Sequence, residues 1–236
     1  RNYLFVKVET DTGLYGVGEF GITWKEQAGI GAIEHMKRHI IGLDPLNTEY
    51  IWQLLFRVDF FPGGRINAAA MSAIDIALWD IKGKEAGMPV YDFLGGASRA
   101  AVPCYAHAGG QDHEALVDDI QRYIDEGWPV IRCQLGGYGG GGFLDDAIKP
   151  KNAWSDAAAF DDEAYLEAIP AMFDFLRKRL GFGPKLTHDV HEHLRPQVAV
   201  ALAKRLEDYR LYFLEDVLAP EQIDWFRLMR QQCTTP

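Results

Sequence analysis

From residue 101 onward, short apolar runs alternate with helical stretches four times in succession. The runs are Val102–His107, Val130–Leu135, Lys185–His191 and Leu211–Val217. The helical stretches are His113–Glu126, Asp162–Leu180, Leu194–Asp208 and Glu221–Gln232. A strand reaches a parallel neighbour only through a crossover, and a helix is the usual crossover. The pattern therefore predicts parallel βα units and an α/β fold. A four-stranded parallel sheet satisfies it. Repeated units of roughly 25–45 residues also suit a (β/α) barrel, which closes with eight strands over typically ~250 residues. With only residues 101–236 available, the expectation is an incomplete barrel holding about the first four βα units.

The first hundred residues have a different rhythm. Residues 3–9 and 14–19 alternate apolar and polar positions around Thr10-Asp11-Thr12-Gly13, which reads as a β-hairpin with glycine near its turn. Helical spacing follows over 26–41, 46–56 and 67–86. The last of these carries Met71, Ile74, Leu78 and Ile81 on one face, and stops at Gly87 with Pro89 beyond. Strands first and helices afterwards predict an α+β module over residues 1–100, followed by the βα region over 101–236. The chain opens directly on a strand and closes on Thr234-Thr235-Pro236. It is expected to be a piece of something longer, or to have its exposed sheet edge covered by another chain, such as a second copy in a homo-oligomer.

Bulk properties exclude several classes of function. Apolar residues make up 48% of the 236, enough for an ordinary core without staples. Three cysteines, Cys104, Cys133 and Cys233, show no paired spacing, which argues for a reducing, cytoplasmic compartment. Cys104 and Cys133 fall in strand-like runs and read as small buried hydrophobes. Net charge is −10 with the basic residues scattered, so neither nucleic acid nor a membrane is expected as a partner. No apolar run approaches the ~18 residues of a membrane span, and the start shows no signal-peptide pattern.

The chemistry concentrates at strand ends, where barrel active sites are built. His107 closes the first run. Arg132 and Gln134 share a face of the second by alternation, Asp189 and His191 share a face of the third, and Glu215 lies near the end of the fourth. Strands covered on both faces normally read as continuous apolar runs, so polar groups repeated in this way need a reason. Asp189 and Glu215 are hard oxygen donors of the kind Mg²⁺ takes. Either acid alone also fits a helix cap or a partner for Arg132. His191, beside Asp189, suits general acid or base chemistry. His188, His191 and His193 admit a zinc reading and hence a zinc-dependent hydrolase, but alternation turns His188 to the opposite face. Arg132 inside a strand must be paired: with a substrate carboxylate, with an enolate, or structurally with one of the acids. The run Gly136–Phe143 lacks the Gly-Lys-Ser/Thr of a P-loop and reads as an active-site loop. Tyr138 within it is an acid–base candidate or a packing anchor.

These motifs together resemble the enolase superfamily, most closely its mannonate dehydratase-like branch. The resemblance rests on Ser72-Ala-Ile-Asp-Ile-Ala-Leu-Trp-Asp-Ile-Lys-Gly-Lys84, Gly87-Met-Pro-Val-Tyr91 and Leu94-Gly-Gly-Ala-Ser-Arg99 in the first module. In the second it rests on Tyr105-Ala-His107, Ile131-Arg132, His188-Asp-Val-His-Glu192 and Phe213-Leu-Glu-Asp216. It implies a capping domain over residues 1–100 and an enolase-type barrel beginning at 101. It also implies Asp189 and Glu215 as magnesium ligands, His191 as the proton donor to a departing hydroxyl, Arg132 as an aid to proton removal beside the carboxylate, and His107 as a substrate contact. The implied reaction is loss of water from a sugar acid such as mannonate or gluconate, through an enediolate, to a 2-keto-3-deoxy acid: a hydro-lyase of carbohydrate metabolism.

Three departures from the family pattern accompany it. The family's third carboxylate ligand is expected past Pro236. The family's catalytic tyrosine lies farther beyond the arginine than Tyr138 does. Ile22 stands where a polar substrate contact is expected. The last two motivate an alternative, a catalytically weak or non-catalytic ligand-binding or regulatory member of the same fold.

Overall fold

The computed structural model describes residues 3–135 and 160–236. The chain divides into two compact units, Arg1–Ala100 and Ala101–Pro236.

In the first unit, β1 (Leu4–Glu9) and β2 (Tyr15–Phe20) form an antiparallel hairpin, with Leu4 opposite Phe20 and Glu9 opposite Tyr15. The turn is closed by Thr10 N–H donating to the Leu14 carbonyl at 2.9 Å, and Gly13 takes φ 84° within it. Helices α1 (Glu26–Ile40), α2 (Thr48–Arg57), α3 (Arg65–Ala86) and the short α4 (Val90–Phe93) follow. The last has no counterpart in the sequence expectations. Helix α3 lies directly on β2. A Cβ on Gly16 would come 1.9 Å from the Ala77 carbonyl oxygen, and one on Gly18 would come 1.9 Å from that of Ala73. Only glycine at these alternating positions lets strand backbone rest on helix backbone. Phe20, Met36, Ile51, Leu55, Ile74 and Ile81 fill the core around this contact. Gly87 ends α3 in the left-handed conformation at φ 64°, donating to the Gly83 and Lys84 carbonyls.

In the second unit, β3 (Ala106–Gly110), α5 (His113–Asp125), β4 (Ile131–Leu135), α6 (Asp162–Leu180), β5 (Leu186–Asp189), α7 (Pro196–Arg205), β6 (Leu214–Glu215) and α8 (Ile223–Gln232) follow in chain order. The four strands pair in parallel in the order β3-β4-β5-β6, as in the first half of a (β/α) barrel. Side chains from α5, α6 and α7, among them Ile120, Phe173, Leu176 and Leu202, pack with Ile131 and Leu186 into one core. Asp112 caps α5 by accepting from Ala115 N–H at 2.8 Å, and Asp161 caps α6 by accepting from Glu163 and Ala164 N–H at 2.9 and 3.0 Å. No helix among the described residues is long and apolar enough to cross a membrane.

Three strands differ from the sequence expectation. The first begins at Ala106 rather than Val102, and runs through two glycines to Gly110. Pro103 has no N–H to give a ladder, while Gly110 lets α5 approach so closely that a Cβ would meet Leu116 N at 2.5 Å. His107 is therefore the second residue of its strand and not its last. Cys104 lies outside the strand and is exposed, whereas Cys133 is buried as expected. The third strand ends at Asp189, because His191 and Glu192 turn left-handed at φ 57° and 58°. The fourth shrinks to Leu214–Glu215, with Asp216 at φ 46° ending it.

Candidate metal and acid–base site

The two faces of the second sheet carry different chemistry. On the helix side sit Ala108, Cys133, Leu186 and His188, all essentially buried. By alternation the other side carries His107, Arg132, Gln134, Thr187, Asp189 and Glu215. The parallel register sets His107 beside Arg132, Arg132 beside Thr187, and Asp189 beside Glu215. Among the described residues, His107, Arg132, Asp189 and Glu215 fall on this polar side and His191 just beyond a strand end.

Asp189 is the centre of the arrangement. It is 2% exposed, and Arg132, 5% exposed, donates from Nη1 to its Oδ2 at 2.5 Å. A buried carboxylate of this kind persists only when paired. Its other oxygen accepts the His191 N–H at 3.1 Å and also meets His191 Nδ1. His191 reaches Asp189 differently from the sequence expectation. The two do not share a strand face. The strand stops, the chain turns left-handed, and the imidazole folds back on the carboxylate two residues earlier. Val190 N–H to the Glu215 carbonyl at 3.0 Å and Glu192 N–H to the Asp216 carbonyl at 2.7 Å hold the ends of β5 and β6 together.

Glu215 faces Tyr105. The Tyr105 hydroxyl lies 2.9 and 2.8 Å from the two carboxylate oxygens and donates to both. Burial, then this carboxylate, push the phenol up to about 12. The Tyr105 ring also stacks on His107, with centroids 5.3 Å apart, and meets Phe213 edge-on at 5.8 Å.

His188 belongs to the scaffold. Its Nδ1–H donates to the Cys133 carbonyl at 2.8 Å, and its Nε2 accepts from the Tyr165 hydroxyl of α6 at 2.8 Å. Burial holds the imidazole down at about 4, so it is neutral at ordinary pH. With both ring nitrogens engaged, His188 has none to offer a metal. His193 stacks on Phe160 at 5.3 Å, and burial, then His191, lower its pKa.

Among the described residues, Asp189, His191 and Asp216 form a cluster able to hold a metal, their donor atoms all within 4.8 Å of one another. The two carboxylates are hard oxygen donors of the kind Mg²⁺ takes, while the imidazole is a borderline donor better suited to a transition metal. His193 is not in the cluster, so the paired imidazoles of the zinc reading do not come together there. Asp216 and Tyr105 are the residues to which the sequence argument assigned no role. The consecutive acids Glu215-Asp216, within the Phe213-Leu-Glu-Asp216 motif, were the sign of the first. The second stands two positions before His107, on the same face by alternation, and within the Tyr105-Ala-His107 motif. The glycine-rich segment with Tyr138 lies outside the described residues. Ile22 belongs to the first unit, where its side chain packs against the core.

Residues 1–95 match the family model of the mandelate racemase / muconate lactonizing enzyme N-terminal domain. A D-galactonate dehydratase family member of Paenibacillus sp. (strain JDR-2) is 52% identical over 238 residues, covering 99% of this chain and 58% of the relative. A D-mannonate dehydratase of Novosphingobium aromaticivorans is 40% identical over 245 residues, covering 100% of this chain and 60% of the relative. A crystal structure of an enolase from Pantoea ananatis with bound D-gluconate and Mg superposes with a TM-score of 0.83 at 41% identity, over 99% of this chain and 60% of that one. Its first 95 residues carry the match to that N-terminal domain, and nearly the whole chain is similar to these relatives and to solved enolase-superfamily structures. The two sequence relatives carry acid-sugar dehydratase names. A further member of the superfamily, from Salmonella Typhimurium, superposes with a TM-score of 0.80 at 27% identity, over 99% of this chain and 62% of that one. The chain thus spans about three fifths of the length of these superfamily relatives.

Proposed function

We propose that this chain carries part of the active site of a Mg²⁺-dependent acid-sugar dehydratase. The observation that carries the reading is Asp189, a buried carboxylate next to Glu215 in the sheet register, with Arg132 and His191 both bound to it. The dehydratase names of the relatives and the gluconate and Mg of the Pantoea structure support the same reading.

Asp189 and Glu215 would hold the cation; Asp216 clusters with Asp189 and His191, a group that does not include Glu215. When bound, Mg²⁺ supplies positive charge that stabilises the substrate carboxylate as negative charge builds on it. Arg132 adds fixed positive charge beside the same carboxylate and favours loss of the proton on the adjacent carbon. With Nδ1 of His191 turned to Asp189, the opposite ring nitrogen is the one that protonates the departing hydroxyl. A base takes the C–H proton, His191 gives its own proton to the leaving hydroxyl as the C–O bond breaks, water departs, and the resulting enol tautomerises to a 2-keto-3-deoxy acid. His107, on the same side of the sheet, would contact the substrate.

The test is an assay of the full chain against a panel of aldonic acids, mannonate, gluconate and galactonate among them, with Mg²⁺ present. A 2-keto-3-deoxy product is expected, lost on adding EDTA and restored by Mg²⁺. Asp189→Asn should lower turnover by at least about 100-fold, and His191→Asn by about 10²–10⁴-fold. Full activity in EDTA or in Asp189→Asn would sink the reading.

One observation favours a second reading. Arg132 and Asp189 also make a buried structural ion pair, which a non-catalytic ligand-binding member of the fold would keep. A substrate turned over with kcat/KM above ~10³ M⁻¹s⁻¹ would eliminate that alternative.

A further inference from the structure

We propose that Tyr105 is a positioning residue that orients the Glu215 carboxylate for a divalent cation; this rests on the dehydratase reading above. A glutamate carboxylate at a strand end has loose terminal torsions and several orientations of similar energy. Here one phenol shares its proton between both of its oxygens, at 2.9 and 2.8 Å, which pins the carboxylate end of the side chain in place. One oxygen is able to pass to a cation while the other keeps the phenol. A donor that holds a ligating carboxylate in this way lowers the cost of organising the site when the ion arrives.

The tyrosine is itself held by its ring. It stacks on His107 at 5.3 Å and meets Phe213 edge-on at 5.8 Å, and Phe213 stands two residues before Glu215 on the same chain segment. The phenol therefore does not swing with the carboxylate. The bond also joins residues 110 positions apart in sequence, from just before β3 to the end of β6. Tyr105 accordingly links the expected substrate contact, His107, to an expected metal ligand, Glu215. It touches neither substrate nor cation itself in this assignment.

Removing the hydroxyl alone separates the two duties of the side chain, because phenylalanine keeps both ring contacts. The experiment is a calorimetric titration of Mg²⁺ into the full chain without substrate, wild type against Tyr105→Phe, with melting temperatures measured in EDTA. The expected result is a Mg²⁺ Kd raised by about 10–100-fold in the variant, with a melting temperature in EDTA within a few degrees of wild type. An unchanged Kd in a folded variant, beside a wild type that does bind Mg²⁺, overturns the role of Tyr105 alone. A variant that loses its fold makes the phenol a structural bond and overturns it equally. A wild-type chain that takes up no Mg²⁺ overturns the dehydratase reading and this assignment together.

Discussion

At the scale of single residues, the contrast between His188 and His191 is instructive. They lie three positions apart, in chemically similar sequence, yet one is scaffold and the other faces the site. His188 is wholly enclosed, bonded to Tyr165 and to the Cys133 carbonyl, and held down at about 4. The consequence for stability has a definite sign. As pH falls below the ordinary 6.5, the unfolded chain takes up this proton first, so stability drains away between 6.5 and about 4 and then levels off. At ~1.4 kcal/mol per pKa step, the loss from this residue reaches about 3 kcal/mol. Urea titrations at pH 7.5, 5.5 and 4 should show that portion of the acid sensitivity vanish in His188→Gln. The same variant should be weaker at pH 7.5 by about 1–3 kcal/mol for each buried partner left unbonded. That His188 faces away from the polar side was legible from alternation alone. That it is bonded at both ring nitrogens was not, since Tyr165 arrives from a helix 23 residues away.

At the scale of elements, the helices were more legible than the strands. Helix α6 occupies the expected Asp162–Leu180, because a carboxylate cap and a glycine stop are both local signals. Strands depend on neighbours, and three of them moved or shortened. β3 slid forward past Pro103, β5 ended where His191 turned left-handed, and β6 kept only two residues. The most demanding contact in the first unit is between β2 and α3, where a methyl group has no room at Gly16 or Gly18. Gly18→Ala should therefore cost about 1–3 kcal/mol or more, since the strand must lift off the helix. Gly31→Ala is the matched control. Gly31 sits inside α1, where an added methyl group would meet nothing within 4 Å, and alanine there should stabilise by about 0.4–1 kcal/mol. Thermal melts of the two variants decide the point, and equal shifts would refute the close-approach argument.

At the scale of the whole molecule, net charge and proposed substrate oppose one another. The chain carries −10, and a sugar acid is an anion. Long-range attraction cannot bring the two together, so binding falls to local positive charge: Arg132 and the cation proposed for Asp189 and Glu215. Salt screens the long-range repulsion over a Debye length of about 8 Å at physiological ionic strength, while a buried contact is screened less. For an anionic substrate, KM is therefore expected to fall as ionic strength rises from a few millimolar to about 0.15 M at fixed free Mg²⁺. Steady-state kinetics across that range checks it, and a KM that rises steeply instead would mean that exposed positive charge dominates capture.

What the sequence determined by itself is local and periodic: helix against strand, which side of a strand each residue takes, where a helix is capped, and which strands carry polar groups. Tertiary structure alone decided which of those polar groups meet. Arg132 finds Asp189 across 57 residues and Tyr105 finds Glu215 across 110, while His191 reaches Asp189 only because the backbone adopts a left-handed turn. The physical reason is that periodicity fixes a side chain's direction relative to its own backbone. Its partner depends on strand register and on the helices packed behind the sheet, neither of which is written in any short stretch of chain.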